Sequence, residues 1–453
     1  MNAWWGGLCA VALSQAAGAG LLVFAARRPR GLVESAALAW LTGALFSACV
    51  VFVVGALRLP WHPLALAVPH ALVAVAGGWC ARRRARGRVQ NAAAKTVALS
   101  LRADSARTTL STRALQAALA LAILLVAAHT LREGARFADS HAVWALRAKV
   151  VASDGGFEGS YWREWSDAHD RRAYPPLLSL SGAWVQSWGD ALDAAPTKLV
   201  NLGFYLALLG LTHAALARRL GARAALAGTA LLALSRPVVL GAGWGVADLP
   251  LAAYTLAAVC EFARSRRGDT WIAAISLAGA VLCKYEGVWI AGLVLLAASS
   301  VQSQRSGRVA VWRAALLPAL LGALWVALML SLQVPFAFGP HAELAPETAS
   351  FLARLSVAAR ALLNHALRPQ WLFLAPLALV LTLARRPARR TRFTRLGTRV
   401  VLALLLVDLS VYAFQAGDTN ALLATTLERL LLQVFPLAFV LTLCALSRRR
   451  APR

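Results

Sequence analysis

Long apolar runs alternate with short polar segments along almost the whole of this 453-residue chain. Each run covers roughly 15–25 residues, which is the length that an α-helix needs to cross the hydrocarbon core of a bilayer. The pattern predicts about 13 such helices, at 4–26, 33–57, 64–81, 114–131, 196–217, 222–240, 248–263, 271–283, 287–301, 312–332, 370–384, 400–414 and 425–446. We therefore expect an all-α fold, a polytopic transmembrane helical bundle.

One polar segment, residues 132–174, is much longer than the others. It contains seven Lys/Arg, seven Asp/Glu, two His and three Trp, and a Pro-Pro pair at 175–176 follows it. Long loops rich in titratable side chains are usually functional, so we predict that this one carries the active site. Within it, residues 140–152 have the pattern of a helix that lies on the membrane surface, and the Asp-Gly-Gly sequence at 154–156 is expected to end that helix.

The basic residues indicate how the helices are oriented. If the N-terminus lies outside and the helices alternate in direction, the inner loops collect 32 of the 47 Lys and Arg, as the positive-inside rule predicts. The net charge of +27 then belongs to cytoplasmic loops beside anionic lipid, and it does not indicate nucleic-acid binding. The six Cys show no CxxC spacing, so neither a disulfide framework nor a thiolate metal site is predicted.

The chain divides into four parts on this basis. Residues 1–81 form three N-terminal transmembrane helices, 82–113 a basic cytoplasmic loop, 114–446 the main transmembrane domain with the outer loop 132–174, and 447–453 a basic cytoplasmic tail. The first apolar run lacks the basic leader and the small-residue cleavage site of a signal peptide. We therefore expect it to remain as a permanent span.

Several short motifs face the outer side in this topology. They are Asp139-x4-Trp144-x4-Lys149, Tyr174-Pro175-Pro176-Leu177-Leu178, Ala247-Asp248-Leu249-Pro250-Leu251, Lys284-Tyr285-Glu286-Gly287, and Arg429 ahead of Pro436. In the order of these motifs, the region 114–446 resembles the bacterial integral-membrane glycosyltransferases of the GT-C superfamily, akin to protein mannosyltransferases and aminoarabinose transferases. The resemblance implies a multi-pass protein of the bacterial inner membrane whose active site faces the periplasm.

The resemblance also implies an inverting enzyme that transfers a hexosyl or pentosyl unit from a polyprenyl-phosphate carrier to a lipid, glycan or protein acceptor. The acceptor hydroxyl must lose a proton as it attacks, which requires a general base. Asp139 occupies the position of the family's catalytic acid and is our candidate; its alternative role is to cap the helix that follows. Asp248 is the second catalytic candidate, as a group that positions the acceptor, supports the base or holds an ion, or else caps its own helix.

The leaving phosphate needs cations at the membrane surface. Lys284 and Arg429 are predicted to bind it, with help from Arg171 and Arg172, because arginine offers two parallel donors to phosphate oxygens. The alternatives are a lysine that only reaches towards the interface and an arginine that only pairs with Glu428. The side chains expected near the substrate are Trp144, His169, Asp170, Tyr174 and Glu286.

No obligatory cofactor or metal is predicted, although Mg²⁺ or Mn²⁺ is compatible with the oxygen-rich side chains. The expected partners are the lipid-linked sugar donor, its acceptor and membrane lipids. Two other functions remain open. A transporter or flippase of lipid-linked sugars also needs phosphate-binding cations, but it should show inverted repeats and charges near the bilayer midplane, where only Asp408 is predicted to lie. A non-catalytic scaffold of the same fold is the third alternative.

Overall fold

The computed structural model describes residues 3–25, 30–93, 110–132, 140–163, 172–189, 195–264, 270–334, 348–371, 391–414 and 419–446. In these parts of the chain every regular element is helical. The first nine α-helices are α1 (Ala3–Ala25), α2 (Leu32–Ala56), α3 (Pro63–Ala93), α4 (Leu110–Arg132), α5 (Leu146–Asp154), α6 (Ser160–Arg163), α7 (Leu177–Gln186), α8 (Lys198–Leu220) and α9 (Ala222–Leu234). The other nine are α10 (Arg236–Trp244), α11 (Asp248–Arg264), α12 (Trp271–Cys283), α13 (Glu286–Ser300), α14 (Arg305–Arg313), α15 (Leu316–Ser331), α16 (Thr348–Ala366), α17 (Arg392–Phe414) and α18 (Thr419–Leu446).

Eight helices among the described residues are long and apolar enough to cross a membrane, or nine if α9 and α10, which are bent by 58° at their junction, form one span. These helices indicate a multi-pass membrane protein. The predicted count of 13 spans and the alternating topology are not confirmed. The difference comes from α11, α12 and α13, with 17, 13 and 15 residues, and from the run 370–384, which lies mostly outside the described residues.

The helix predicted at 140–152 is present, as a π-helical turn over Ser140–Ala145 followed by α5. It ends where the sequence indicated, because Gly155 has a φ of 70°, a left-handed conformation that glycine adopts without steric cost. Its surroundings differ from the prediction. Trp144 is only 4% exposed and Arg147 only 1%, and α5 packs on α7. The segment therefore packs into the protein, and its tryptophan is covered by other side chains.

Helix α2 is central to the bundle. It contacts α1, α7, α8 and α12, and more than half of its length is buried. Tyr254 of α11, itself fully buried, donates a hydrogen bond from its hydroxyl to the carbonyl of Leu41 at 2.7 Å. Because a polar group inside such a bundle must find its partner within the protein, this bond fixes α11 against α2.

Two glycines allow the first and third helices to touch. A Cβ added to Gly77 of α3 would lie 2.2 Å from the Cα of Gly20 in α1, whereas one added to the neighbouring Gly78 would meet nothing within 4 Å. Membrane helices pack closely through small residues because no hydrophobic effect drives them together inside lipid. The contact between α1 and α3 therefore depends on the missing side chain of Gly77.

Trp184 of α7 contacts two of the three N-terminal helices, α1 and α3. Its indole N–H donates to the carbonyl of Ala10 in α1 at 3.0 Å. The ring of His70 in α3 stacks on the same indole, with the ring centroids 4.2 Å apart and the planes 7° from parallel. All three residues are buried. One tryptophan of the predicted main domain thus binds two helices of the predicted N-terminal part.

A buried ionic cluster lies at the far end of α11 from Asp248. Glu34 of α2 accepts hydrogen bonds from Arg218 at 2.7 Å and from Arg264 at 2.6 Å. Glu261 pairs with Arg30 at 2.6 Å. With a rise of about 1.5 Å per residue, α11 separates this cluster from Asp248 by about 20–24 Å. The helix therefore carries charged groups with partners at both of its ends.

Candidate functional site

The residues that the sequence placed in three separate motifs meet around Asp248. This carboxylate is fully buried. One of its oxygens, Oδ1, accepts from the Lys284 ammonium at 3.0 Å and from the Gln433 amide at 2.7 Å. The other, Oδ2, accepts from Nε of Arg429 at 3.0 Å. We call these four residues the Asp248 cluster.

The break between α12 and α13 positions Lys284. The helix α12 ends at Cys283, and Lys284 has an extended backbone with φ −156° and ψ 163° before α13 begins at Glu286. A Cβ on Gly287 would lie 1.8 Å from the carbonyl oxygen of Ala280, so a glycine is needed for the chain to turn so closely on itself. The Lys-Tyr-Glu-Gly motif is therefore a tight break that places the lysine inside the bundle.

Arg429 and Gln433 come from a single helix. They are four residues apart in α18 and so lie one turn apart on the same face. Both contact Asp248, at the first residue of α11, 181 and 185 residues earlier in the chain. The cluster thus joins α11, the break before α13, and α18.

The four residues of the cluster carry two cations and one carboxylate, and Glu286 beside them brings the charges into balance. Lys284 also pairs with Glu286, with Nζ and Oε1 2.8 Å apart, so two cations face two carboxylates. Lys284 is only 4% exposed, which does not fit the alternative of a lysine reaching towards the interface. Glu286 has a third of its side chain exposed. The cluster is therefore closed on the Asp248 side and accessible on the Glu286 side.

The contacts of Arg429 do not match one of the two roles predicted for it, the local pair with Glu428. It contacts Asp248, while its neighbour Glu428 accepts a hydrogen bond from the amide of Gln370 at 3.0 Å. The contact that holds Arg429 inside the bundle is therefore the one with Asp248, and not a local pair with Glu428. Its predicted role at a phosphate stays a prediction.

Arg147 binds the end of the polar segment, where the chain returns to the bundle, and the sequence did not indicate this role. We call Arg147 and its hydrogen bonds the Arg147 clamp. Its guanidinium donates to the hydroxyl of Ser179 and to the carbonyl oxygens of Arg172, Tyr174 and Pro175, over 2.6–3.1 Å. Burial lowers the pKa of Arg147 to about 10, so it remains charged at neutral pH. One sign of it was present in the sequence: Arg147 lies on the apolar side of a helix that was expected to lie on the membrane surface.

Aromatic rings connect this clamp to the Asp248 cluster. Tyr174 contacts Trp144 edge-on, with the ring centroids 5.8 Å apart, and Tyr285 at 4.6 Å. Tyr285 directly follows Lys284 in the chain. The end of the polar segment therefore lies beside the cations, and Trp144, Tyr174 and Glu286 share one region with Lys284.

The other predicted site residues either fall outside the described residues or have partners of their own. Asp139, Arg171, His169 and Asp170 fall outside the described residues, so their predicted roles stay predictions. Arg172 is only 2% exposed, and its NH1 nitrogen donates to the carbonyls of residues 161 and 162, at 3.0 Å each. That environment supports the local loop structure, and its role at a phosphate also stays a prediction.

The prediction that no metal is obligatory, with Mg²⁺ or Mn²⁺ compatible with the site, stays a prediction. Within the part of the chain that the structure describes, no three His, Cys, Asp or Glu side chains come together. Comparisons with protein-family models, with curated proteins and with solved structures yielded no match. The function is therefore argued from the geometry of this chain.

Proposed function

We propose that this protein is a membrane-embedded glycosyltransferase that moves a sugar from a polyprenyl-phosphate carrier to an acceptor at the outer face of a bacterial inner membrane. The observation that carries the proposal is the Asp248 cluster. Three segments far apart in sequence bring two cations and a carboxylate together in an apolar bundle, where isolated charges are costly. Charged groups held inside a membrane protein usually belong to a functional site.

Lys284 and Arg429 suit the phosphate of the carrier. As the glycosidic bond breaks, the phosphate leaves with the electron pair and its negative charge grows, so fixed cations beside it lower the barrier. Both side chains are already ordered by Asp248, which reduces the conformational entropy that substrate binding would otherwise cost. In this proposal, Asp248 holds the two cations ready for the phosphate.

The acceptor supplies the new bond. Its oxygen attacks the anomeric carbon, the bond from that carbon to the phosphate oxygen breaks, and the hydroxyl proton passes to a carboxylate. Asp139 remains the candidate base. A single displacement of this kind inverts the anomeric centre.

A flippase for the same lipid is the second candidate, because one observation favours it. The helices α9 and α10 meet at a 58° bend, and α12 and α13 are each shorter than a span. Discontinuous helices of this kind surround the substrate sites of many transporters. A flippase would use the same cations to bind the lipid phosphate without breaking the glycosidic bond.

Mass spectrometry of envelope glycolipids and glycans tests the proposal. Cells with and without the protein should differ by one sugar on an acceptor, and cells carrying Lys284→Met should resemble those without it. The matched control is Arg313→Met, which removes an exposed cation of α14 and should restore the product.

The two candidates give different results with purified protein. In vesicles loaded with a polyprenyl-phosphate sugar, a transferase releases polyprenyl phosphate when acceptor is present, whereas a flippase moves the intact lipid between leaflets. Movement without release would refute the transferase. Product formation by the Lys284→Met variant at the unmodified rate would refute the proposed role of the cations.

A further inference from the structure

A strip of exposed apolar side chains runs along one side of α14 and α15, which together form one candidate membrane span. It consists of Val309, Trp312, Leu316 and Leu320, which are between 43% and 69% exposed. These residues are three or four positions apart, so they lie on one face of a helix. At about 1.5 Å per residue the strip is about 17 Å long, close to half of the roughly 30 Å hydrocarbon core of a bilayer. We call it the α15 strip.

Two exposed arginines lie at one end of the strip. Arg305 is the first residue of α14, four positions before Val309 and on the same face, and Arg308 lies beside it. Within the described part of the chain, neither guanidinium forms an ion pair or a hydrogen bond. The sequence contains no Asp or Glu between Glu286 and Glu343, so no carboxylate nearby in the chain balances these charges. The N–H groups at the start of α14 add further positive charge.

The apolar face of α3 also ends in arginines, but these have partners within the protein. The guanidinium of Arg83 lies over the ring of Trp79, 3.8 Å from its centroid, and Arg84 donates a hydrogen bond to the carbonyl of Val23. A cation over an indole is already stabilised by the ring. The cations at the end of the α15 strip lack such contacts, so they are better suited to an anion from outside the protein.

Helix α14 lies at the same end of the bundle as the buried ionic cluster around Glu34. The preceding helix, α13, ends at Ser300, whose hydroxyl accepts a hydrogen bond from Arg399 of α17. Phe393, near the start of α17, lies under the guanidinium of Arg219, with 3.7 Å to the ring centroid. Arg219 directly follows the arginine of α8 that binds Glu34. The sequence predicted this end to be cytoplasmic, where the leaflet carries anionic lipid.

We propose that this surface binds an anionic phospholipid, with its phosphate at Arg305 and Arg308 and an acyl chain along the α15 strip. Arginine donates two parallel hydrogen bonds to phosphate oxygens, and Trp312, one turn further along, suits the boundary between headgroups and acyl chains. A free phosphate would leave the strip uncovered, so a phospholipid fits this surface better. The inference is independent of the proposed function, because none of these residues belongs to the Asp248 cluster.

The test measures lipid binding to the purified full chain in neutral detergent micelles, by native mass spectrometry. The probes are dioleoylphosphatidylglycerol, which is anionic, dioleoylphosphatidylcholine, which has the same acyl chains and no net charge, and inorganic phosphate. The double variant Arg305→Gln/Arg308→Gln removes both charges. The matched control, Arg360→Gln/Arg368→Gln, removes two exposed arginines from α16 and the residues directly after it. The single variant Arg308→Gln covers the case in which the double variant fails to fold.

We expect one phosphatidylglycerol molecule to bind about thirtyfold more tightly than phosphatidylcholine, the ratio that two cations beside an anionic lipid provide. The double variant should reduce this ratio to about threefold or less, and Arg308→Gln alone should reduce it to about fivefold. The control should keep the ratio of the unmodified chain. Inorganic phosphate should bind far more weakly than phosphatidylglycerol, because it cannot cover the α15 strip.

Three outcomes overturn the inference. The first is equal binding of the two phospholipids by the unmodified chain, and the second is a ratio that neither Arg308→Gln nor the double variant reduces. The third is inorganic phosphate binding as tightly as phosphatidylglycerol, which would show an anion site without a place for the acyl chain. All of these variants leave the Asp248 cluster intact, so none of the outcomes counts against the proposed function.

Discussion

The ion pair between Asp248 and Lys284 predicts a large coupling between the two positions. The perturbations are Asp248→Asn, Lys284→Met and the double variant, which removes both charges. The structure places Nζ and Oδ1 3.0 Å apart with both side chains almost fully buried. At that distance and an effective dielectric constant of about 20, the attraction is about 5–6 kcal/mol before desolvation is subtracted.

The partners that remain after each substitution determine how much the free energy of unfolding falls. Lys284→Met leaves the carboxylate with Arg429 and Gln433, so we expect a cost of about 3 kcal/mol, at the lower end of the range for a broken buried pair. Asp248→Asn leaves two cations, of which Lys284 keeps Glu286, and should cost about as much. The double variant should cost about 4 kcal/mol instead of about 6, a coupling of about 2 kcal/mol.

Equilibrium unfolding in mixed detergent micelles measures these values, with far-ultraviolet circular dichroism following the helix content. The control is the same cycle on Arg58 and Glu158, an exposed pair whose side chains are 71% and 49% accessible. Exposed pairs contribute about 1 kcal/mol or less. Losses at Asp248 and Lys284 that simply add, within about 0.5 kcal/mol, would refute the pairing and with it the argument for a prepared cation site.

Three further predictions concern stability and use the same assay. Gly77→Ala should cost about 1–3 kcal/mol because its methyl group overlaps the facing helix, whereas Gly78→Ala, with open space around it, should be nearly neutral; equal effects would contradict the helix contact. Glu34→Gln should cost about 3 kcal/mol and Glu158→Gln less than about 1 kcal/mol, and the reverse order would exclude the buried cluster. Arg147→Lys should cost about 2 kcal/mol or more, since lysine cannot reach four oxygens from one planar group. Burial lowers the pKa of Arg147 only to about 10, so the side chain keeps its charge and the cost of the substitution should be constant between about pH 6 and 9. Above pH 10 the native state binds this proton less tightly than the unfolded chain does, so the contribution of Arg147 to the free energy of unfolding should rise with pH.

The sequence predicted the positions of the helices better than the number of helices that are long enough to cross a membrane. The limits of α1, α2 and α12 agree with the apolar runs to within one residue, because apolar length is a strong local signal. Whether a short helix crosses the membrane depends on its neighbours, which local hydrophobicity does not describe. For the same reason, the helix at 140–154 was predictable, but its burial against α7 was not.

The site divides in the same way. The residue types and their common side of the membrane pointed to Asp248, Lys284 and Arg429, and these three are in contact. The contact of Gln433 with Asp248 was not predictable, since a glutamine in an apolar helix gives no signal in a single sequence. Arg147 was missed because a structural arginine and a surface arginine look alike until the four oxygens around it are known.

The buried carboxylate of Glu34 constrains the order in which contacts form while the chain is being synthesised. Its two arginine partners come 184 and 230 residues later, and a ribosome delivers a polypeptide N-terminus first. The second helix must therefore enter the bilayer while its acidic side chain still relies on water or lipid headgroups. Only when α8 and α11 have been synthesised does that charge gain its two partners, so these ion pairs are among the contacts that form late.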